Sequence, residues 1–320
     1  MKHLPRLSRL LLPAVALACA ASAFAQTAAQ TAAPDSQSLV ALWQKIRTVP
    51  NVTYERANGV EQKLDVYAIR GQAPSPVVIF IHGGGWVQGT KEGSMLSALP
   101  FIQMGYAVVN VEYRLANVSL APAAIEDCRC ALRWVIAHGK EQQYNFDTSR
   151  IVVAGASAGG HLAMTTGMLP SSAGFDRMCY TVDEPRVSAI VNFFGIADLP
   201  DMLEGSNKEP FPKSWPYTTQ WIGNQPNRMD IAKAASPMTY VRAGVPPTIS
   251  IHGDADPLVP YQHSVRLQEA LQKAGVPHEL VTIGGGGHGN FKTEEWQRAY
   301  AAIEKFLAAH VPAAKTTPSR

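Results

Sequence analysis

The segment Arg150-Ile-Val-Val-Ala-Gly-Ala-Ser-Ala-Gly-Gly-His161 constrains this chain more than any other. Ile151 to Ala154 reads as a buried strand and Ala158 to Leu169 as a helix, with Gly155-x-Ser157-x-Gly159 between them. A strand that passes into a helix through so tight a turn crowds the residues two before and two after the serine, where only glycine fits. Such a turn lifts the Ser157 hydroxyl above the sheet. It also leaves the free amides of the helix N-terminus beneath that hydroxyl, where they favour negative charge. A glycine-rich structural turn is the bland alternative, and the flanking strand and helix argue against it.

The rest of the chain supplies the sheet. Val77 to Ile81, Ala107 to Val111, Val187 to Phe194 and Thr248 to Ile251 are apolar runs of strand length. Ala121 to His138, Tyr261 to Ala274 and Thr293 to Ala309 carry helical spacing. Alternation of the two predicts an α/β fold, a mostly parallel, doubly wound sheet with helices on both faces. Val52 to Arg56 and Gln62 to Ala68, joined through Asn58-Gly59, predict an antiparallel hairpin leading into it. The stretch of about 198–247 breaks the alternation with prolines and with Phe211, Trp215, Tyr217 and Trp221, and is expected as a small insertion over the C-terminal edge of the sheet.

A serine above a sheet edge becomes a nucleophile only with a base, an orienting acid and an anion hole. His82-Gly83-Gly84-Gly85-Trp86 follows a strand, and consecutive glycines let backbone amides face a ligand; Gly84, Gly85 and Ala158 are the expected oxyanion donors. His82 is expected to orient that loop by hydrogen bonding. Of nine histidines, His288 is best placed as the base, following the apolar run Leu280 to Ile283 in Gly284-Gly-Gly-Gly-His-Gly289. His161 is expected to pack on the sheet and His252 to brace a turn, with His3, His138, His263, His278 and His310 at the surface or in a tail.

The acid is sought just past a strand end, where His252-Gly-Asp254-Ala-Asp256-Pro257 offers two carboxylates. Asp256 is the choice because Pro257 holds it extended, whereas Asp254 beside Gly253 suits turn hydrogen bonds. Asp198 is the rival acid, with capping of the next segment as its more ordinary role. Ser157, Asp256 and His288 then follow one another in the order expected of a strand-edge nucleophile turn. Trp86, Trp215 and Trp221 are candidates for a substrate platform or, equally, ordinary packing. No His-Glu-x-x-His spacing occurs, and the chemistry calls for no metal and no other cofactor.

The N-terminus reads as an export signal. Lys2, Arg6 and Arg9 precede an apolar stretch, Leu10 to Ala21, and Ala23-Phe24-Ala25 supplies a cleavage pattern, so residues 1–25 are expected as a signal peptide and a periplasmic or secreted location follows. Cleavage before Cys19 is the alternative, against which Ala16 fits poorly. The stretch is too short to span a bilayer. Residues 26–37 and 312–320 are expected as flexible tails flanking one domain over 38–311. The formal charge of +3 resides in the leader, which holds three bases and no acid. The remainder is balanced, which removes the electrostatic case for nucleic acid or an anionic membrane. Beyond the leader lie Cys128, Cys130 and Cys179. Either Cys128 or Cys130 pairs with Cys179, leaving the other as a buried thiol, or all three are unpaired small hydrophobes.

From about Val52 to Ala309 the chain resembles the α/β-hydrolase superfamily, and within it the hormone-sensitive-lipase-like carboxylesterases and the bacterial acetylxylan and feruloyl esterase type. The resemblance rests on His82-Gly-Gly-Gly-Trp86, Tyr113-Arg114-Leu115, Gly155-Ala-Ser-Ala-Gly-Gly160, His252-Gly-Asp-Ala-Asp-Pro257 and His288-Gly289. It implies an α/β-hydrolase fold and a serine esterase acting on small-molecule or oligosaccharide esters, with Asp256 as the acid and with Arg114 and Asp127 as structural braces. A peptidase of the same fold and a catalytically inactive binding protein are the alternatives.

Overall fold

The computed structural model describes residues 36–71, 73–204 and 217–313. The expected signal peptide, Trp215, Phe211 and most of both expected tails lie outside the described residues. Two antiparallel strands, β1 (Ile46–Ala57) and β2 (Val60–Ile69), form the expected hairpin. Six further strands follow: β3 (Ser75–Ile81), β4 (Ala107–Val111), β5 (Phe146–Ala156), β6 (Ala189–Phe193), β7 (Thr248–Gly253) and β8 (His278–Ile283). They join in one sheet of order β1-β2-β4-β3-β5-β6-β7-β8, parallel from β4 to β8.

Side-chain alternation splits the apolar residues between two cores. On β3, Val77, Ile79 and Ile81 face one side, while Val78 and Phe80 face the other. The first side is covered by α3 (Ala123–His138), α4 (Ala158–Met168) and α8 (Gln262–Lys273) through residues such as Leu132, Leu162 and Leu267. The second is covered by α2 (Lys91–Gln103) and α9 (Thr293–His310), through Phe101, Ile303 and Phe306. Burial on both faces explains the near-continuous Val/Ile runs of the parallel strands.

Three elements differ from expectation. The N-terminal helix α1 (Ser36–Lys45) begins inside the segment expected as a tail. The edge strand β8 includes the apolar run before His288. Helix α2 has no clean apolar stripe, because its buried positions include Lys91 and Ser94 beside Ala98, Phe101 and Ile102, and Pro100 lies within it. Thr90 starts it, its Oγ1 accepting from the Gly93 amide at 3.2 Å. Lys91 Nζ is held by Asp65 at 3.0 Å and also by Glu92. A pattern of apolar spacing therefore cannot find this helix.

Between β6 and β7 lie α5 (Leu199–Glu204), α6 (Tyr217–Ile222) and α7 (Arg228–Ala234). The segment closes on its own base, since the Leu199 amide donates to Ser236 Oγ at 2.9 Å and the Met238 amide to Ala197 O at 3.1 Å. Cys130 on α3 is disulfide-bonded to Cys179, while Cys128 remains a buried thiol, one of the two pairings that the sequence allows. Arg114 and Asp127 form the expected brace: the guanidinium Nε donates to Oδ1 at 2.8 Å, and both residues are buried. Among the described residues, no helix is long and apolar enough to cross a membrane.

Candidate active site

Ser157 stands at the end of β5 with φ 58° and ψ −120°, a strained conformation for a residue with a side chain. Crowding around it accounts for the glycines. A Cβ on Gly155 would meet Ile81 O at 2.7 Å, and one on Gly159 would meet His82 O at 2.5 Å and Ile81 O closer still. The serine backbone is tied down by its own amide, which donates to Phe193 O at 2.8 Å. Ala158 begins α4, so its amide has no intrahelical acceptor.

His288 and Asp256 reach this point from two other strand ends. His288 Nε2 is 2.9 Å from Ser157 Oγ, and Nδ1 is 2.7 Å from Asp256 Oδ2. A carboxylate only accepts, so Nδ1 carries the ring proton and Nε2 faces the hydroxyl as an acceptor. The Leu258 and Val259 amides donate to Asp256 Oδ1 at 2.8 and 3.0 Å. Burial alone would raise the Asp256 carboxyl, but hydrogen bonds from His252 and His288, the electrostatic attraction of the His288 ring and the Val259 amide outweigh it. The carboxyl lies well below its usual range.

The loops that carry acid and base are stitched to each other. Asp254 and Ala255 amides donate to Ile283 O and Gly286 O at 3.1 and 3.0 Å. Asp254 Oδ1 accepts from the Gly285 amide at 2.6 Å, a bond between the two loops rather than the local turn bond expected of it. Asp198 caps α5, accepting from the Asp201 amide at 3.4 Å, and pairs with Arg266 at 3.3 Å. Of the three candidate acids, Asp256 is the one whose carboxylate meets His288.

The glycine loop lies against the serine, since a Cβ on Gly83 would sit 3.5 Å from Ser157 Cβ. Its peptides are pinned through their carbonyls. His82 Nδ1 donates to Gly83 O at 2.7 Å, and Gly84 O accepts from Val87 and Gln88 amides at 3.2 and 3.1 Å. In a trans peptide the following N–H points the opposite way, so the Gly84 and Gly85 amides are turned away from these internal partners. Gly84 and Gly85 have φ of 116° and 62°, which glycine adopts without a steric penalty.

The aromatic platform needs correction. Trp86 and Trp221 are 1% and 0% exposed and stack on each other at 4.5 Å, so they have no face left for a ligand. They anchor the glycine loop to the insertion. His161 completes this packing, accepting from Trp86 Nε1 at 3.2 Å and donating from Nε2 to Ala235 O at 2.8 Å. It therefore packs against the insertion rather than on the sheet, and its burial pushes the imidazole down to about 4. His263, expected at the surface, is fully buried: Nδ1 accepts from Ala197 and Asp198 amides at 3.2 and 3.3 Å.

Two other aromatics border the site instead. The Tyr217 ring packs on Gly85, with Cγ 2.5 Å from where a Cβ would lie, and the Phe194 ring meets that of His288 edge-on at 4.7 Å. Sequence reasoning also missed that His252 touches Asp256; its position four residues before the acid is the available signal. Among the described residues, no group of three or more His, Cys, Asp or Glu is arranged to hold a metal ion.

Known proteins resemble this chain in sequence and in fold to different extents. Probable carboxylic ester hydrolase LipM of Mycobacterium tuberculosis is 32% identical over 202 residues, 62% of this chain and 45% of its own. Esterase LipQ of the same organism is 29% identical over 226 residues, 68% of this chain and 51% of its own. The chain thus spans about half the length of these curated relatives. A truncated carbohydrate esterase from gut microbiota superposes with a TM-score of 0.70 at 26% identity, covering 82% of this chain and 96% of that one. Thermogutta terrifontis esterase 2 phosphoramylated by tabun gives 0.68 at 26%, covering 84% and 97%. The sequence profile of the BD-FAE family matches residues 64–271, the span running from the hairpin past Asp256, and with this sheet it makes the chain a member of that family within the hormone-sensitive-lipase-like α/β-hydrolases.

Proposed function

We propose that this protein is an exported serine carboxylesterase that hydrolyses short-chain or carbohydrate-linked esters, acetyl or feruloyl, through an acyl-enzyme. The observation that carries the reading is the continuous hydrogen-bond chain from Ser157 Oγ through His288 to Asp256, beside the Ala158 amide and the pinned glycine loop. Ser157 Oγ attacks the ester carbonyl carbon as its proton passes to His288 Nε2, and Asp256 holds the ring in the productive tautomer and offsets the imidazolium charge. The amides of Gly84, Gly85 and Ala158 receive the oxyanion, each worth roughly 3 kcal/mol of transition-state stabilisation. His288 returns the proton to the departing alcohol oxygen. Water then repeats the attack on the acyl-enzyme, giving its proton to His288, and the acid leaves as Ser157 regains its hydrogen.

Export is supported by the leader pattern over residues 1–25, and the single domain is assigned from the start of α1 at Ser36 to residue 311, with its insertion at about 198–247. Carbohydrate esters are favoured by the named activity of the gut carbohydrate esterase, and acyl esters in general by the other esterases. The test is a panel of p-nitrophenyl acetate, acetylated xylan, methyl ferulate and a proline anilide. Hydrolysis of one or more of the esters with an inert anilide supports the reading. Preferential cleavage of the anilide establishes a peptidase, and inertness toward all four contradicts catalysis of this class.

A further inference from the structure

Asp256 carries a second imidazole that the proton-transfer steps do not use. His252, the penultimate residue of β7, is fully buried, and its Nε2 lies 3.2 Å from Asp256 Oδ2, the same oxygen that His288 Nδ1 reaches at 2.7 Å. His252 Nε2 is also 3.0 Å from Val259 O, and Nδ1 is 2.7 Å from Ser264 Oγ, a buried hydroxyl at the start of α8. The Val259 carbonyl and the Asp256 carboxylate both accept, so Nε2 carries the ring proton. On a neutral ring, Nδ1 then accepts from the Ser264 hydroxyl. A carboxylate turns readily about its last torsion. Here two amides hold Oδ1, while Oδ2 meets His252 from the rigid strand and His288 from a loop rich in glycine.

We infer that His252 is a positioning residue for the reaction: a buried donor, set in its tautomer by the Val259 carbonyl and held in orientation by Ser264, that fixes the Asp256 carboxylate where His288 Nδ1 can meet it. The inference rests on the triad reading above and deepens it. His252 touches no substrate, so its removal acts on kcat and leaves KM alone. Because it acts through Asp256, its effect vanishes once that carboxylate is gone.

The test uses p-nitrophenyl acetate with the full chain, and thermal unfolding confirms that each variant is folded. His252→Leu lowers kcat about 10- to 100-fold at unchanged KM, the scale of one hydrogen bond to a charged group. His252→Gln, which keeps an amide donor at similar reach, recovers to within about threefold of the wild type. In an Asp256→Asn background, His252→Leu costs less than about threefold more, since the two changes remove one unit. Equal losses in His252→Leu and His252→Gln, a loss that multiplies with Asp256→Asn, an effect on KM alone or an unchanged kcat would each overturn the inference. Should His252→Leu fail to fold, Ser264→Ala carries the test with the imidazole in place. A kcat loss that disappears in the Asp256→Asn background supports the inference, and an unchanged kcat overturns it. Ser157→Ala separates the two readings: turnover surviving there removes the triad and this inference with it, whereas an inert Ser157→Ala beside an unaffected His252→Leu removes the inference alone.

Discussion

His288 Nε2 sits 2.9 Å from Ser157 Oγ across 131 residues of sequence, and the sheet is what closes that distance. β5, β6, β7 and β8 run parallel and adjacent, so the loops that leave their carboxyl ends converge on one rim.

Asp256→Asn should reduce kcat by about 10⁴, because an amide presents the wrong partner to His288 Nδ1 and releases the ring to the other tautomer. Asp198→Asn should cost far less, since that carboxylate meets Arg266 and the Asp201 amide instead. Initial rates on p-nitrophenyl acetate compare the two. A larger loss in Asp198→Asn would show that the acid has been misassigned.

Gly159→Ala should disrupt folding rather than merely slow turnover. The new methyl would overlap the Ile81 carbonyl and lie 2.5 Å from His82 O, both rigid backbone atoms. We expect a loss of about 3 kcal/mol or more, the upper part of the range for overpacking, read from the denaturant midpoint. A midpoint equal to the wild type would mean that the turn is looser than its geometry.

Much of this site is legible because its constraints are local. Gly155 and Gly159 record collisions within one turn, and Pro257 separates Asp256 from Asp254 by backbone restriction. Other features depend on partners that sequence spacing does not reveal. His263 is buried because the Ala197 and Asp198 amides, 65 residues or more away in sequence, satisfy its Nδ1. Trp86 and Trp221 look like a ligand platform until the insertion is seen to fold back and bury each ring against the other. Lys91 hides α2 because its charge is neutralised by Asp65 from a neighbouring strand.

Stability should fall as the solution is acidified below about pH 6.5. Burial holds the His161 imidazole at about 4, and burial, together with the Arg266 charge, holds that of His263 at about 3, against an ordinary 6.5. Both stay neutral in the folded state while the unfolded chain takes up protons. Their stabilisation is thus complete above pH 6.5 and is lost as pH falls toward these values. His161 alone accounts for about 3 kcal/mol between pH 6.5 and 4. Urea midpoints across pH 4 to 8 read the effect, and His161→Gln should flatten part of the fall. A wild-type midpoint constant down to pH 4.5 would contradict it.

Removing the Cys130–Cys179 bridge by the double serine variant should cost about 4 kcal/mol in the chain-entropy view, given the sequence separation of 49. Cys128, a buried thiol whose burial raises it well above the ordinary range, should stay unreactive toward alkylating reagents in the native protein. Thermal unfolding with and without reductant, with thiol counting, checks both. Rapid native labelling of Cys128 would show that its surroundings open readily.

The central claim is tested most directly by reacting the protein with a fluorophosphonate and locating the adduct by peptide mass spectrometry. One adduct on Ser157, forming at a rate that collapses in His288→Ala and absent in Ser157→Ala, is the predicted result. A native protein that takes up no label, or takes it up equally well in Ser157→Ala, would contradict the account.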